Sequence, residues 1–211
     1  MEVFKLIFSP IEVNTYILSD SSGQCAVIDC GCYNRTEFEK LTGFIESKNL
    51  TPVLLLNTHC HLDHIFGNKM FLEKYKTPLL CNAEEEGNRN DSVHIASVFG
   101  MKMEIPPEPS GLIDDGDTVT FGNTELKALL VPGHSSGSLA FYCEKQKVVL
   151  TGDTLFSGSI GRTDLRGGDY DTLVKSISEK LFVLPPETVV YPGHGEATTI
   201  GDELKNNPYF S

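Results

Sequence analysis

The sequence predicts an α/β protein built from two β-rich regions, each running into an amphipathic helix. Three observations carry this. Short apolar strands separated by turn residues open the chain, apolar residues recur at helical spacing over 35–48 and over 170–184, and strand patterns return from Gly111 onward to imply a second sheet.

Taken in order, residues 3–8, 15–19 and 24–29 read as strands, with Asp20-Ser21-Ser22-Gly23 marking a hairpin. In the helix expected over 35–48, Phe38, Leu41, Phe44 and Ile45 share one face, and Pro52 follows shortly after. Val53-Leu54-Leu55-Leu56 has the unbroken apolar character of a buried inner strand. It leads into a helical stretch in which Ile65, Phe66, Met70 and Phe71 can face the core. Residues 83–110 are less regular: Glu84-Glu85-Glu86 and Ile105-Pro106-Pro107-Glu108-Pro109 suggest a helical excursion and a surface loop of no legible role. Strands are expected at 118–121, 124–131, 138–142 and 147–150, with turns at Gly122-Asn123 and Lys145-Gln146. Leu173, Val174, Ile177, Leu181 and Phe182 place one apolar face on a helix over 170–184, and 188–191 forms a last short strand. No repeat, low-complexity tract or linker interrupts the chain, so residues 1–211 are expected to form a single domain.

Composition excludes several classes. Seventeen basic against twenty-nine acidic residues give a net charge of −12, which repels phosphate backbones and argues against nucleic-acid binding. No apolar run approaches the roughly 20 residues of a membrane helix, and the Met-Glu-Val-Phe-Lys start lacks a basic segment followed by an apolar core, so a cytoplasmic protein without membrane partners is expected. The six cysteines match neither zinc-ribbon nor thioredoxin spacing and are expected to be reduced.

The chemistry concentrates in His59-x-His61-x-Asp63-His64, four nitrogen or oxygen donors in six residues directly after an apolar strand. Random placement of this chain's histidines and aspartates would yield that pattern with a probability of about 3 in 10,000, so chance is a poor explanation. Three further donors each follow a β segment and a glycine: His134 in Pro132-Gly133-His134, Asp153 in Gly152-Asp153-Thr154 and His194 in Pro192-Gly193-His194-Gly195. A glycine there lets the backbone turn sharply, so strand ends can aim imidazoles and carboxylates at one point. Seven such ligands are too many for one tetrahedral site and suit two ions about 3.5–4 Å apart. The remaining histidine, His94, reads as ordinary structure, Cys60 as packing, and Cys30-x-Cys32 as a pair without the further donors a thiolate zinc site needs.

His-x-His-x-Asp-His, Pro-Gly-His, Gly-Asp-Thr and Tyr-Pro-Gly-His-Gly, in that order, resemble the metallo-β-lactamase superfamily over residues 14–208. Gly152-Asp153-Thr154-Leu155-Phe156, Gly161-Arg162-Thr163-Asp164 and the closing Asn207-Pro208 are similar to the short, single-domain members of its glyoxalase II (hydroxyacylglutathione hydrolase) branch. The resemblance implies a four-layer αββα sandwich of two mixed sheets with outer helices. It also implies a ligand partition: His59, His61 and His134 on a first metal, Asp63, His64 and His194 on a second, and Asp153 bridging both. The ions would be divalent, zinc first, with iron or manganese as alternatives.

A water between two such ions can lose its proton near neutral pH and attack the carbonyl carbon of a thioester or related ester. Asp63 and Asp153 then act as ligands that orient it. Arg162 is a candidate for a substrate carboxylate, against an ion pair with Asp164 or Asp169 as the alternative, and Phe156 and Tyr142 are candidates for the pocket wall. The rival readings are a persulfide dioxygenase with one iron on two His and one Asp, a lactonase with the same ligands, and a non-catalytic metal-binding module. A true β-lactamase is not expected, because the bridging Asp153 lies outside the usual ligand set of those enzymes.

Overall fold

The structure, a computed structural model, describes residues 1–210, and the chain divides into two compact units. The first comprises Met1–Cys81, Glu86–Leu112 and Thr120–Thr124; the second comprises Asn82–Glu85, Ile113–Val119 and the described chain from Glu125 onward.

In the first unit, β1 (Glu2–Phe8), β2 (Val13–Ser19) and β3 (Gln24–Ile28) form an antiparallel meander. Then α1 (Arg35–Ser47) crosses over to β4 (Thr51–Leu56), α2 (Leu62–Ile65) and α3 (Asn68–Tyr75) to β5 (Leu79–Cys81), and α4 (Glu86–Val98) to β6 (Gly111–Leu112). The resulting sheet has the order β1-β2-β3-β4-β5-β6 and is parallel from β3 onward. Asn34 caps α1 by accepting the Glu37 amide at 3.0 Å, and Asn49 in the left-handed region (φ 54°) follows its end. Phe38, Leu41 and Ile45 of α1 bury against Ile17, Val27, Leu55 and Phe71, each such side chain contributing roughly 1.5–3 kcal/mol. The β3–β4 register shifts between Cys25 and Ala26, opposite Pro52, which has no amide to donate.

The second unit contains β8 (Thr124–Leu130, following β7, Thr118–Phe121), β9 (Leu139–Cys143), β10 (Val148–Gly152) and a two-stranded hairpin of β11 (Leu155–Phe156) and β12 (Ser159–Ile160). After α5 (Tyr170–Ser176) come β13 (Val189–Pro192), β14 (Thr198–Thr199) and α6 (Ile200–Asn206). The six-stranded order is β14-β13-β10-β9-β8-β7, with β10 and β13 parallel and β9–β10 antiparallel. Leu129, Val131, Ala140, Val149, Leu173, Ile177, Val190 and Ile200 build its core. Two mixed sheets with helices therefore confirm the α/β class.

Two local expectations need adjustment. The helix over 170–184 is α-helical only to Ser176; Ile177–Leu181 is a π turn in which the Phe182 amide reaches the Ile177 carbonyl at 2.8 Å, which still keeps Leu173, Ile177 and Leu181 buried. The stretch after His64 is two short helices, broken where the Gly67 amide donates to the Cys30 carbonyl at 2.7 Å. Residues 83–110 do hold a helical excursion, α4, and then an irregular run, while β5, β6, β11, β12 and β14 were too short to show any period. Among the described residues no helix is long and apolar enough to cross a membrane.

Candidate metal centre

In the first unit β4 ends at Leu56, and the next eight residues carry the donors. His61 occupies the extended residue before α2, with Asp63 and His64 in its first turn. The rings of His59 and His61 meet edge-on at 4.7 Å and those of His59 and His64 lie 4.0 Å apart. Asp63 Oδ2 is 3.7 Å from His64 Nε2. His59, Asp63 and His64 are buried and His61 is half-buried.

The group that orders this cluster is Asp29, which sequence reasoning assigned only to a strand end. It is 2% exposed, with φ 54°, just past β3. Its carboxylate accepts the Thr58 amide at 2.8 Å, the Thr58 hydroxyl at 2.6 Å and His64 Nδ1 at 2.9 Å. Because the Thr58 hydroxyl donates to Asp29, its oxygen can accept His59 Nδ1–H at 3.1 Å. Both imidazoles thus carry their proton on Nδ1 and turn the Nε2 lone pair toward the cluster, as metal-ligating histidines do. Asn57 ties the loop down by donating to the His64 carbonyl at 3.2 Å and accepting Asn68 Nδ2 at 2.8 Å. The available signal was a lone acid closing the apolar run Ala26-Val27-Ile28.

In the second unit the donors come from three separate turns. Gly133 has φ 125°, and a Cβ there would sit 2.3 Å from the Leu173 backbone nitrogen, so only glycine lets the chain turn into His134 against α5. His134 Nδ1 donates to the Arg162 carbonyl at 2.8 Å, which again directs Nε2 away. The Gly193 amide donates to the Gly152 carbonyl at 2.7 Å, so Asp153 and His194 leave the adjacent strands β10 and β13 side by side. Asp153 Oδ2 lies 3.7 Å from His134 Nε2 and 3.6 Å from His194 Nε2. Those separations are too long for hydrogen bonds. They suit ligands sharing ions, since bonds of about 2.1 Å at tetrahedral angles put ligand atoms about 3.4 Å apart.

Within each unit, then, the expected donors converge: His59, His61, Asp63 and His64 in one, His134, Asp153 and His194 in the other. Imidazole and carboxylate donors with Nδ1 partners in place fit divalent ions such as zinc, iron or manganese.

The other named residues divide. Arg162 makes a bidentate pair with Asp164 at 2.7 and 2.8 Å, its hydrogen bonds holding the Asp164 carboxyl down at about 2; Asp169 instead caps α5 through the Thr172 amide at 2.8 Å. The Phe156 ring is half-buried, 6.4 Å from that of His194. Tyr142 is 7% exposed and belongs to the core. Cys60 packs with Ile65 and Cys81, and all six cysteines are buried thiols. Burial pushes the Cys32 thiol up, and the adjacent Cys30 adds to it. His94 is exposed on α4.

The comparisons agree with this geometry. The metallo-beta-lactamase superfamily model matches residues 9–194. A probable metallo-hydrolase of Bacillus subtilis, YqgX, is 37% identical over 96% of this chain and 94% of its own length. Hydroxyacylglutathione hydrolase GloC of Haemophilus influenzae is 33% identical over 94% of this chain and 92% of its own. Among solved structures, the BLEG-1 B3 metallo-beta-lactamase superposes with TM-score 0.92 and 32% identity, covering 100% of both chains. TTHA1623 in a di-iron-bound form superposes with TM-score 0.89 and 34% identity, covering 98% of this chain and 100% of its own. The chain belongs to the metallo-beta-lactamase superfamily of metallo-hydrolases.

Proposed function

We propose that this chain is a thioester hydrolase of the hydroxyacylglutathione hydrolase type, working with two divalent ions held by His59, His61, Asp63, His64, His134, Asp153 and His194 across one catalytic domain. The observation that carries the reading is Asp153 Oδ2, placed at near-equal distance from His134 Nε2 and His194 Nε2, as a carboxylate shared between two ions would be. The likeness to GloC over nearly the whole chain supports the thioester, and the His194 donor favours two ions over the single iron of a dioxygenase.

The residues divide the work. Asp29 and the Arg162 carbonyl hold the Nδ1 protons of His64 and His134, so that each Nε2 is the nitrogen left to face an ion. Asp63 and Asp153 supply negative charge and orient the attacking water toward the carbonyl carbon. Phe156, beside His194, would cover the acyl group and exclude solvent, and Arg162, exposed beside Asp164, would meet a substrate carboxylate. When bound, divalent ions would lower the pKa of a coordinated water to near 7 and stabilise the developing oxyanion.

Metal analysis of purified protein, joined to turnover of S-lactoylglutathione and a thioester and lactone panel, tests the reading. Two ions per chain and preferential thioester hydrolysis are expected. One iron per chain with oxygen consumption on glutathione persulfide would overturn it, and faster lactone than thioester turnover would redirect it. The similarity to BLEG-1 makes nitrocefin the further control, and no appreciable turnover is expected.

A further inference from the structure

The donors of the second unit rest on a segment that the C-terminal helix holds in place. We propose that Glu203 and Asn207 form a lock on the β11–β12 hairpin that positions His134 and Phe156; the inference rests on His134 being a metal ligand.

Glu203 is 4% exposed and Asn207 1%, and both are fully engaged. Glu203 Oε2 accepts the Gly158 amide at 2.9 Å and Asn207 Nδ2 at 2.7 Å, while Oε1 accepts the Thr198 hydroxyl at 2.7 Å. Asn207 Nδ2 also donates to the Ser159 carbonyl at 3.1 Å. The hairpin turn is therefore gripped on its amide and on its carbonyl. The start of α6 has its own cap, the Asp202 amide donating to the Thr199 hydroxyl oxygen at 3.1 Å, so the buried carboxylate is not needed for that.

The hairpin needs such support, because β11 and β12 pair over two residues each and so short a ladder is marginal alone. What it carries lies at the donors. A Cβ on Gly161, one residue past β12, would lie 1.9 Å from the Asp153 carbonyl oxygen and 3.2 Å from His134 Cβ, so the segment runs in direct contact with both. The next residue, Arg162, offers the carbonyl that accepts His134 Nδ1. On the opposite strand Phe156 stands beside His194. A loosened turn would release the His134 proton partner and the Phe156 ring together.

The test compares Glu203→Ala, Glu203→Gln, Asn207→Ala and, as a destabilised control in the first unit, Asp20→Ala. Zinc affinity is read by chelator competition, alongside kcat, KM and thermal midpoint. Glu203→Ala and Asn207→Ala are expected to weaken one of the two zinc sites about tenfold, the scale of losing a ligand's hydrogen-bond partner, and to raise KM. Glu203→Gln should restore wild-type affinity within about twofold, since its oxygen can accept Gly158 and Asn207 while the Thr198 hydroxyl accepts its amide. Asp20→Ala should lower the midpoint and leave zinc affinity alone. Wild-type zinc affinity in both alanine variants would overturn the lock, as would an equal loss in Asp20→Ala. Should wild-type protein bind two zinc ions yet hydrolyse no thioester, the functional reading falls while the zinc comparison still decides the lock.

Discussion

The two donor sets reach similar local geometry by opposite routes. In the first unit four donors occupy one six-residue segment and are ordered by a buried side chain, the Asp29 carboxylate. In the second, three donors are spread over sixty residues of sequence, on separate turns, and His134 is ordered by a main-chain carbonyl. A contiguous loop needs one anchor placed with care. Dispersed donors need the sheet itself, here the parallel β10–β13 pair and the Gly193–Gly152 hydrogen bond.

Substitutions can break or sharpen this contrast. The largest effect is expected for Asp153→Ala, which removes the carboxylate near both His134 and His194: metal content should fall below two per chain and most activity should be lost, and full activity would reject a bridging role. Asp29→Ala comes next. Both His59 and His64 lose the chain of Nδ1 partners, so metal affinity should drop roughly 10–100-fold, read by chelator titration.

Asp20→Ala tests the scaffold of the first unit without its donors. Burial raises the Asp20 carboxyl, but hydrogen bonds from Ser22, Asn123 and Thr124 outweigh it and hold the group at about 2. A group lowered in the folded state contributes stability above its unfolded value near 4, lost as pH falls from there toward 2. Because Asp20 is largely open to solvent, the variant should lose no more than about 1 kcal/mol at pH 7 in urea unfolding, and its deficit should shrink below pH 4. The smallest effect on metal binding is expected for Arg162→Ala, which deletes an exposed ion pair and keeps the carbonyl that holds His134. Zinc affinity should stay within about twofold of wild type; a tenfold loss would show that the side chain orders the site.

Legibility in the sequence followed the same division. His59 to His64 stood out because their donors are adjacent, and the glycines before His134, Asp153 and His194 marked turns after recognisable strands. Asp29 escaped notice because its partners Thr58 and His64 lie 29 and 35 residues away, and nothing local distinguishes it from an ordinary strand-end acid. Glu203 was invisible for the same reason, 45 residues from Gly158. The π turn after Ser176 was hidden by a helical apolar period it does not disrupt. Periodicity reports which face is buried, and remote hydrogen bonds leave no periodic trace.

The carbonyl of Arg162 has a consequence for how such a catalyst can change. A backbone oxygen is encoded by no particular codon, so substitutions at position 162 can change the size or charge of the side chain while the Nδ1 partner of His134 persists. On the proposed function, new substrates could be sampled there by single mutations without first dismantling the donor set. At Asp29 the same freedom is missing, because there the side-chain carboxylate itself accepts Thr58 and His64, and drift at that position would disorder the donors first.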